Sequence, residues 1–203
     1  MRRANIPIAY SAGFNPHMIM SFASPLGIGL TSQGEYLDIE LKQAIDSALA
    51  LQKLNQHTVN EIELLEFRQI ASEKKHGAMT ILAACDYRFK LNEPLIGLAD
   101  KIVEFLEKPA ILVTKQTKRS EAEIDLRPLI YQFIALDEQS IFMKLAAGSV
   151  QNVKPQLVWE TFCQVYNIEM NELLQYERLE MYAKQDDNLV ALGALGTEIN
   201  EGN

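Results

Sequence analysis

The sequence predicts an α+β fold, and three observations carry that prediction. Stretches with period-two alternation recur along the chain, amphipathic stretches of helical spacing fall between them, and the two kinds are interleaved. The chain has 203 residues, 48% of them hydrophobic and 23% charged. That is enough for one or two ordinary domains and is usual for globular proteins.

The first half reads strand, strand, helix, strand. Residues 6–11 open it as an apolar run that resumes after a turn and extends to 22. In EYLDIEL, Leu37, Ile39 and Leu41 face one way, while Tyr36, Asp38 and Glu40 face the other and are read as the solvent side. Leu41, Ala44, Ile45, Ala48 and Leu49 form a helical stripe that predicts a helix over 42–54. A strand over 59–67, containing EIELLEF, closes the half.

The second half reads strand (79–91), helix (95–107), two strands (129–136 and 140–146), helix (155–166) and strand (174–182). TILAACDYRFKL places Cys85, Tyr87, Phe89 and Leu91 on one face. Leu95, Leu98, Ala99, Ile102 and Leu106 form a stripe. Residues 137–140, Asp-Glu-Gln-Ser, suit a hairpin loop. Pro155 pre-sets a first helical turn, and Trp159, Phe162, Cys163 and Tyr166 repeat behind it. The insert at 109–127 carries an extra strand, AILVTK. From Lys184 onward no period is visible, and a disordered tail over 184–203 is expected.

The order βαββαβ is the ferredoxin-like unit. The expected architecture is therefore two ferredoxin-like units, at 1–70 and 78–183, with the first lacking its opening strand and helix. Element order suggests a chain shortened at its N-terminus, and MRRANIP looks like a last helical turn with a proline-marked exit.

Met1-Arg2-Arg3 is basic, but Asn5 and Pro7 interrupt before a secretory apolar segment could form. No run approaches the roughly 20 apolar residues of a membrane-spanning helix. Cys85 and Cys163 are far apart and lie in apolar surroundings, which is not the pattern of a disulfide framework or thiolate site. A cytoplasmic location and no membrane are expected. The net charge of −8 opposes indiscriminate nucleic-acid binding, and no DNA partner is expected. TKQTKRS, with Lys115, Lys118 and Arg119, is the one basic patch, to be read either as a solvated loop or as a local contact.

The stretch AYSAGFNPH is the most constrained in the chain. Gly13 permits positive φ, Pro16 fixes its own φ, and Pro16 also keeps Asn15 out of the helical region. The turn therefore presents Phe14, Asn15 and His17 in a set arrangement. Either His17 bonds backbone to lock the loop, or it serves as a ligand-binding or proton-donating imidazole.

Residues 2–41, RRANIPIAYSAGFNPHMIMSFASPLGIGLTSQGEYLDIEL, resemble the signature of the bacterial radical-SAM-linked family of unknown function. EIDLRPLI (123–130), GSVQNVKPQLV (148–158) and ERLEMY (177–182) are similar as well. Ala12, Met18 and Lys154 depart from the family pattern, which usually has a polar residue, a proline and an arginine there. The family normally has a strand and a helix before RRA. The resemblance implies a partner, a radical SAM protein, with RNA processing nearby. The iron–sulfur cluster and S-adenosylmethionine would belong to that partner, and this chain is expected to carry no cofactor and no metal. It has no CxxxCxxC motif, and two distant cysteines do not ligate a cluster.

The expected function is a non-catalytic accessory or binding module that docks on the radical SAM protein and positions an RNA substrate. The binding candidates are Phe14, Asn15, His17, Arg127, Asn152 and Lys154. Arg127 either grips an oxyanion or pairs with Asp125 or Glu123, and Asn152 either contacts a ligand or caps the helix near Pro155. One alternative is an RNA-modifying enzyme of pseudouridine-synthase-like fold using His17 and Asp38 as an acid–base pair. The other is a protein–protein scaffold without RNA.

Overall fold

The computed structural model describes residues 1–70, 77–116, 121–169 and 173–200. It is a mixed α+β structure. In chain order it runs β1 (Met20–Phe22), β2 (Leu30–Ser32), β3 (Leu37–Ile39), α1 (Ser47–Asn55), β4 (Gln69–Ile70), α2 (Ala78–Ile81) and β5 (Leu82–Leu91). It continues with α3 (Leu98–Glu107), β6 (Leu112–Gln116), β7 (Glu121–Asp125), β8 (Ile130–Ala135), β9 (Ser140–Ala146) and α4 (Pro155–Val165). The long β10 (Leu173–Gln185), β11 (Asn188–Ala191) and β12 (Gly196–Thr197) end it.

The main sheet has the order β11-β10-β5-β9-β8, with β2 pairing β10 in parallel. Alternation along the central strands divides its residues between two faces. Cys85, Tyr87 and Phe89 on β5 lie beside Leu145, Met143 and Ile141 on β9, and all are buried. Helices α3 and α4 cover this face. Phe105 of α3, Phe133 of β8 and Phe162 of α4 meet at centroid separations of 5.4–6.1 Å with their planes 70–84° apart. Edge-to-face contact of this kind adds to the burial of the rings themselves.

The β6–β7 hairpin is the insert strand with a partner, and Asp137-Glu138-Gln139-Ser140 joins β8 to β9 as a hairpin. Gly148, at φ +129°, follows β9. A Cβ there would collide with the Leu82 carbonyl oxygen, so the backbone approach requires glycine.

The N-terminal half departs from the expected arrangement. Among the described residues, 6–11 contribute only the bridges Ile8↔Leu41 and Tyr10↔Met18, and β1 pairs with β3 alone. The helix begins at Ser47, five residues later than the stripe implies, because Asp46 caps it by accepting from Leu49 N at 2.8 Å. Residues 59–67 are not a ladder strand. Leu64 is held in place of one by the Asn55 side chain, which donates to Leu64 O and accepts from Leu64 N, both at 2.8 Å. A small core of Ala4, Ile6, Ala50 and Leu54 sits beneath Ile39, Leu41, Ile45, Leu64 and Phe67.

In the region expected to be a disordered tail, residues 184–197 instead take part in β10, β11 and β12 and the turns between them, while 201–203 lie outside the described residues. Asp186, at φ 53°, turns the chain so that β11 pairs back on β10. β12 then pairs with β4, and Ile199 exchanges two hydrogen bonds with Ser47 at the start of α1. No period revealed this, since β11 has four residues and β12 two, and the partner of β12 lies far away in sequence.

Candidate functional site

The GFNPH turn is the tip of a hairpin whose last bridge is Tyr10↔Met18. Ser11 N donates to His17 O at 2.8 Å, and His17 N donates to the Ser11 hydroxyl at 3.0 Å. The same hydroxyl meets His17 Nδ1 at 2.9 Å. One serine therefore closes the loop from both backbone and side chain, and Gly13 turns it at φ 114°. His17 Nδ1 locks the loop, which leaves Nε2 as the ring nitrogen available to a ligand. Phe14, Asn15 and His17 are exposed, and Phe14 is 99% so. At the base, the Tyr10 ring lies 5.9 Å from the Arg2 guanidinium and 5.5 Å from Lys42 Nζ.

Asp38 has a structural role. It pairs across the sheet with Ser21, four residues along the chain from His17, and its Oδ2 accepts from Ala78 N at the start of α2. A Cβ on Gly77 would lie 2.8 Å from the same oxygen. The carboxylate is thus bound to backbone through Oδ2. The supposed solvent face of EYLDIEL is in fact where the N-terminal half meets the rest of the chain.

Arg127 is likewise occupied. Its Nε donates to Leu106 O in the last turn of α3 at 2.7 Å, where a cation also suits the helix dipole. Asp125 Oδ1 accepts from Ile111 N at 2.8 Å and Arg127 N at 2.9 Å, which fixes the bend. Asn152 does not cap α4. The N-cap position is held by Lys154, in the extended conformation that a following proline favours, and no side chain caps the helix. Asn152 and Lys154 are both exposed. Of the basic patch, Lys118 and Arg119 lie outside the described residues, as does the Lys115 side chain. The structure therefore does not bring the loop candidates together with Arg127, Asn152 and Lys154 through any shared contact.

What it does bring together is a pair of segments far apart in sequence. Residues 31–36 run beside 176–182. Thr31 and Ser32 hydroxyls donate to Tyr176 O and Arg178 O, Gln33 Nε2 donates to Glu177 at 2.7 Å, and Tyr36 OH donates to Glu180 at 2.6 Å. Gly34 is required at the closest approach, because a Cβ there would sit 2.5 Å from Leu179 O. The Arg178 side chain is 4% exposed. Its Nε lies 3.1 Å from Glu35 Oε1, an ion-pair distance out of line for a hydrogen bond. Its other nitrogens reach Ser24 O and Pro25 O at 3.4 and 3.3 Å. Burial pushes the Glu35 carboxyl up, against the Ser32 hydroxyl and Arg178, which pull it down.

The helix-free face of the sheet carries a second polar group. Tyr182 OH donates to Asp86 Oδ2 at 2.7 Å. Lys144 Nζ is 3.5 Å from Asp86 Oδ1 and 4.0 Å from the centre of the Tyr182 ring. Burial raises the Asp86 pKa, and the Tyr182 hydrogen bond and Lys144 only partly offset it. Sequence reading missed both clusters, since a single chain gives no sign of which distant strands will pair. Among the described residues, no group of three or more His, Cys, Asp or Glu is arranged to hold a metal ion, and no helix is long and apolar enough to cross a membrane.

A family model described as "Uncharacterized protein conserved in bacteria (DUF2344)" matches residues 1–155. No curated protein and no solved structure matches the chain.

Proposed function

The chain belongs to that bacterial family, and from this premise we propose that it is a binding module, without catalytic chemistry of its own, that docks on a radical SAM protein and places an RNA substrate for it. The partner is taken from the resemblance of residues 2–41. The observation that carries the docking reading is Phe14, 99% exposed on a backbone pinned by Ser11 and His17. An aromatic ring held rigidly in water gains nothing until a partner covers it, and a stiff loop loses little entropy on binding. Phe22 and Ile28, in the same half of the chain, are also exposed.

Acid–base catalysis by His17 and Asp38 is the weaker reading, because Asp38 already accepts the backbone N–H of Ala78. We read residues 82–185 as a ferredoxin-like unit, from the β10-β5-β9-β8 strand order with α3 and α4 on one face. RNA as the cargo rests on that architecture by analogy.

The test is a pull-down with the full chain from nuclease-treated bacterial lysate. The expected result is a captured protein that carries a CxxxCxxC cluster motif and is lost with Phe14→Ala. Capture of no such protein, or capture indifferent to Phe14→Ala, overturns the reading.

A further inference from the structure

On the face of the main sheet away from the helices, register lines side chains into rows that cross four strands. One row is Glu177, Arg88, Phe142 and Ile134, and the next is Glu180, Asp86, Lys144 and Gln132. Lys90 stands one step beyond Arg88 on the same face of β5, opposite Ser140.

We propose that this face is a stacking platform for single-stranded RNA, with Arg88 and Phe142 each taking one base. The platform accepts the RNA cargo of the preceding reading but uses none of the loop residues. Arg88 and Phe142 are direct cross-strand neighbours, so their side chains start about 5 Å apart. Two unstacked bases can lie against such a pair, one on the ring and one on the flat guanidinium. The Arg88 side chain is 45% exposed, and Glu177 holds its NH2 at 3.1 Å. A guanidinium held at its edge keeps its faces for stacking.

Charge on this face is arranged for a polyanion even though the whole chain is acidic. The cations Arg88 and Lys90 are exposed, and the acids are recessed and engaged. Asp86 accepts from Tyr182, Glu180 from Tyr36, and Glu177 from Gln33. The exposed Gln132 amide offers a donor and an acceptor to a base edge. Two exposed cations support one or two phosphate contacts, so affinity comes mainly from stacking. It falls with salt by a slope of only about 0.7 per phosphate.

The experiment is fluorescence anisotropy of labelled oligouridylate and oligoadenylate with the full chain, followed by photo-crosslinking and mapping of the crosslinked peptide. Binding is expected to fall about 5-fold to 150-fold in Phe142→Ala, as for loss of one stacked base. Thermal melts establish whether that variant folds. Arg88→Gln, at an exposed site, is expected to weaken binding without changing the melt, and the crosslink is expected on the peptide bearing Phe142. The proposal is overturned by RNA affinity unchanged in both variants, by equal binding of duplex RNA, or by a crosslink of this face to protein alone. Single-stranded DNA binding as tightly as RNA would overturn the assignment to RNA. Crosslinks confined to the Phe14 peptide would end the platform while sparing the loop. Loss of partner capture with RNA binding intact would do the reverse.

Discussion

Removal of Glu35 is expected to destabilise the protein more than removal of Arg178, although Glu35 is the more exposed of the two. At an effective dielectric of about 20, unit charges about 4 Å apart attract by about 4 kcal/mol. Taking both from water costs a similar amount, so the intact pair is close to neutral. Losing one partner is different, since the survivor keeps its desolvation cost, at about 3–5 kcal/mol for a buried pair. The survivors here are unequal. The Glu35 side chain is 27% exposed, and its carboxyl is already pushed up by burial, so it can hydrate or take a proton. Arg178 is 3% exposed and cannot lose its proton in a folded protein. Glu35→Ala is therefore expected near the upper end, about 4 kcal/mol, and Arg178→Met, which keeps much of the packed volume, at about 2 kcal/mol. For a chain of this size each kcal/mol moves the melting temperature by about 2–4 °C. Circular-dichroism melts at neutral pH should then show losses of about 8–16 °C and about 4–8 °C. The double variant should match Arg178→Met alone, since removing the arginine removes what stranded it. Equal costs, the reverse order, or additive losses in the double variant would refute the reasoning.

Two further expectations concern titratable groups. Burial pushes the Cys85 and Cys163 thiols up to about 11, so at pH 8 only about one part in a thousand is thiolate. Neither should react with Ellman's reagent until denaturant is added, and rapid labelling of the native protein would contradict their burial. Asp86 titrates in the folded state above its ordinary pKa of about 4. Between the two values the native form holds the proton more tightly than the unfolded chain. The group's contribution is therefore present at lower pH and lost as pH rises through the raised value. Urea titrations across that window should show stability falling more steeply with pH in the wild type than in Asp86→Asn, and parallel slopes would count against it.

The helix-packed layer of the main sheet was legible in the sequence because each element there buries one face. Alternation in TILAACDYRFKL and the stripes through Ile102 and Phe162 record contact with a single core, and β5, α3 and α4 appear close to where the periods put them. The opposite faces were not legible. Tyr36 and Asp38 look like solvent-side residues in a strand, yet one hydrogen-bonds to Glu180 and the other to Ala78 N. Polar residues that meet polar groups leave no hydrophobic period, and no spacing reports that their partners lie 144 and 40 residues away. The pinned loop was legible as a loop, since Gly13 and Pro16 act locally. Its use of Ser11 as the clasp for His17 required the hairpin around it.

That difference in legibility also bears on how the candidate surfaces are held. The first 70 residues have a core of four buried side chains, too small to fix a hairpin by itself. β2 and β3 are fixed against the larger unit by Ala23, Leu30 and Tyr36 packing on its core, and by polar ties: the ladder to β10, the Glu35–Arg178 pair and the Tyr36–Glu180 hydrogen bond. The tail adds a second tie through β12 and Ser47. β10 therefore serves both candidate surfaces at once. One of its edges carries β2, and its helix-free face carries Glu177 beside Arg88. Packing can hold a hairpin at many angles, but paired hydrogen bonds and a glycine-tight approach at Gly34 hold it at one. If the proposed reading holds and the chain presents RNA to a separate enzyme, that fixed angle serves it better than a deep pocket, because such a task is placement.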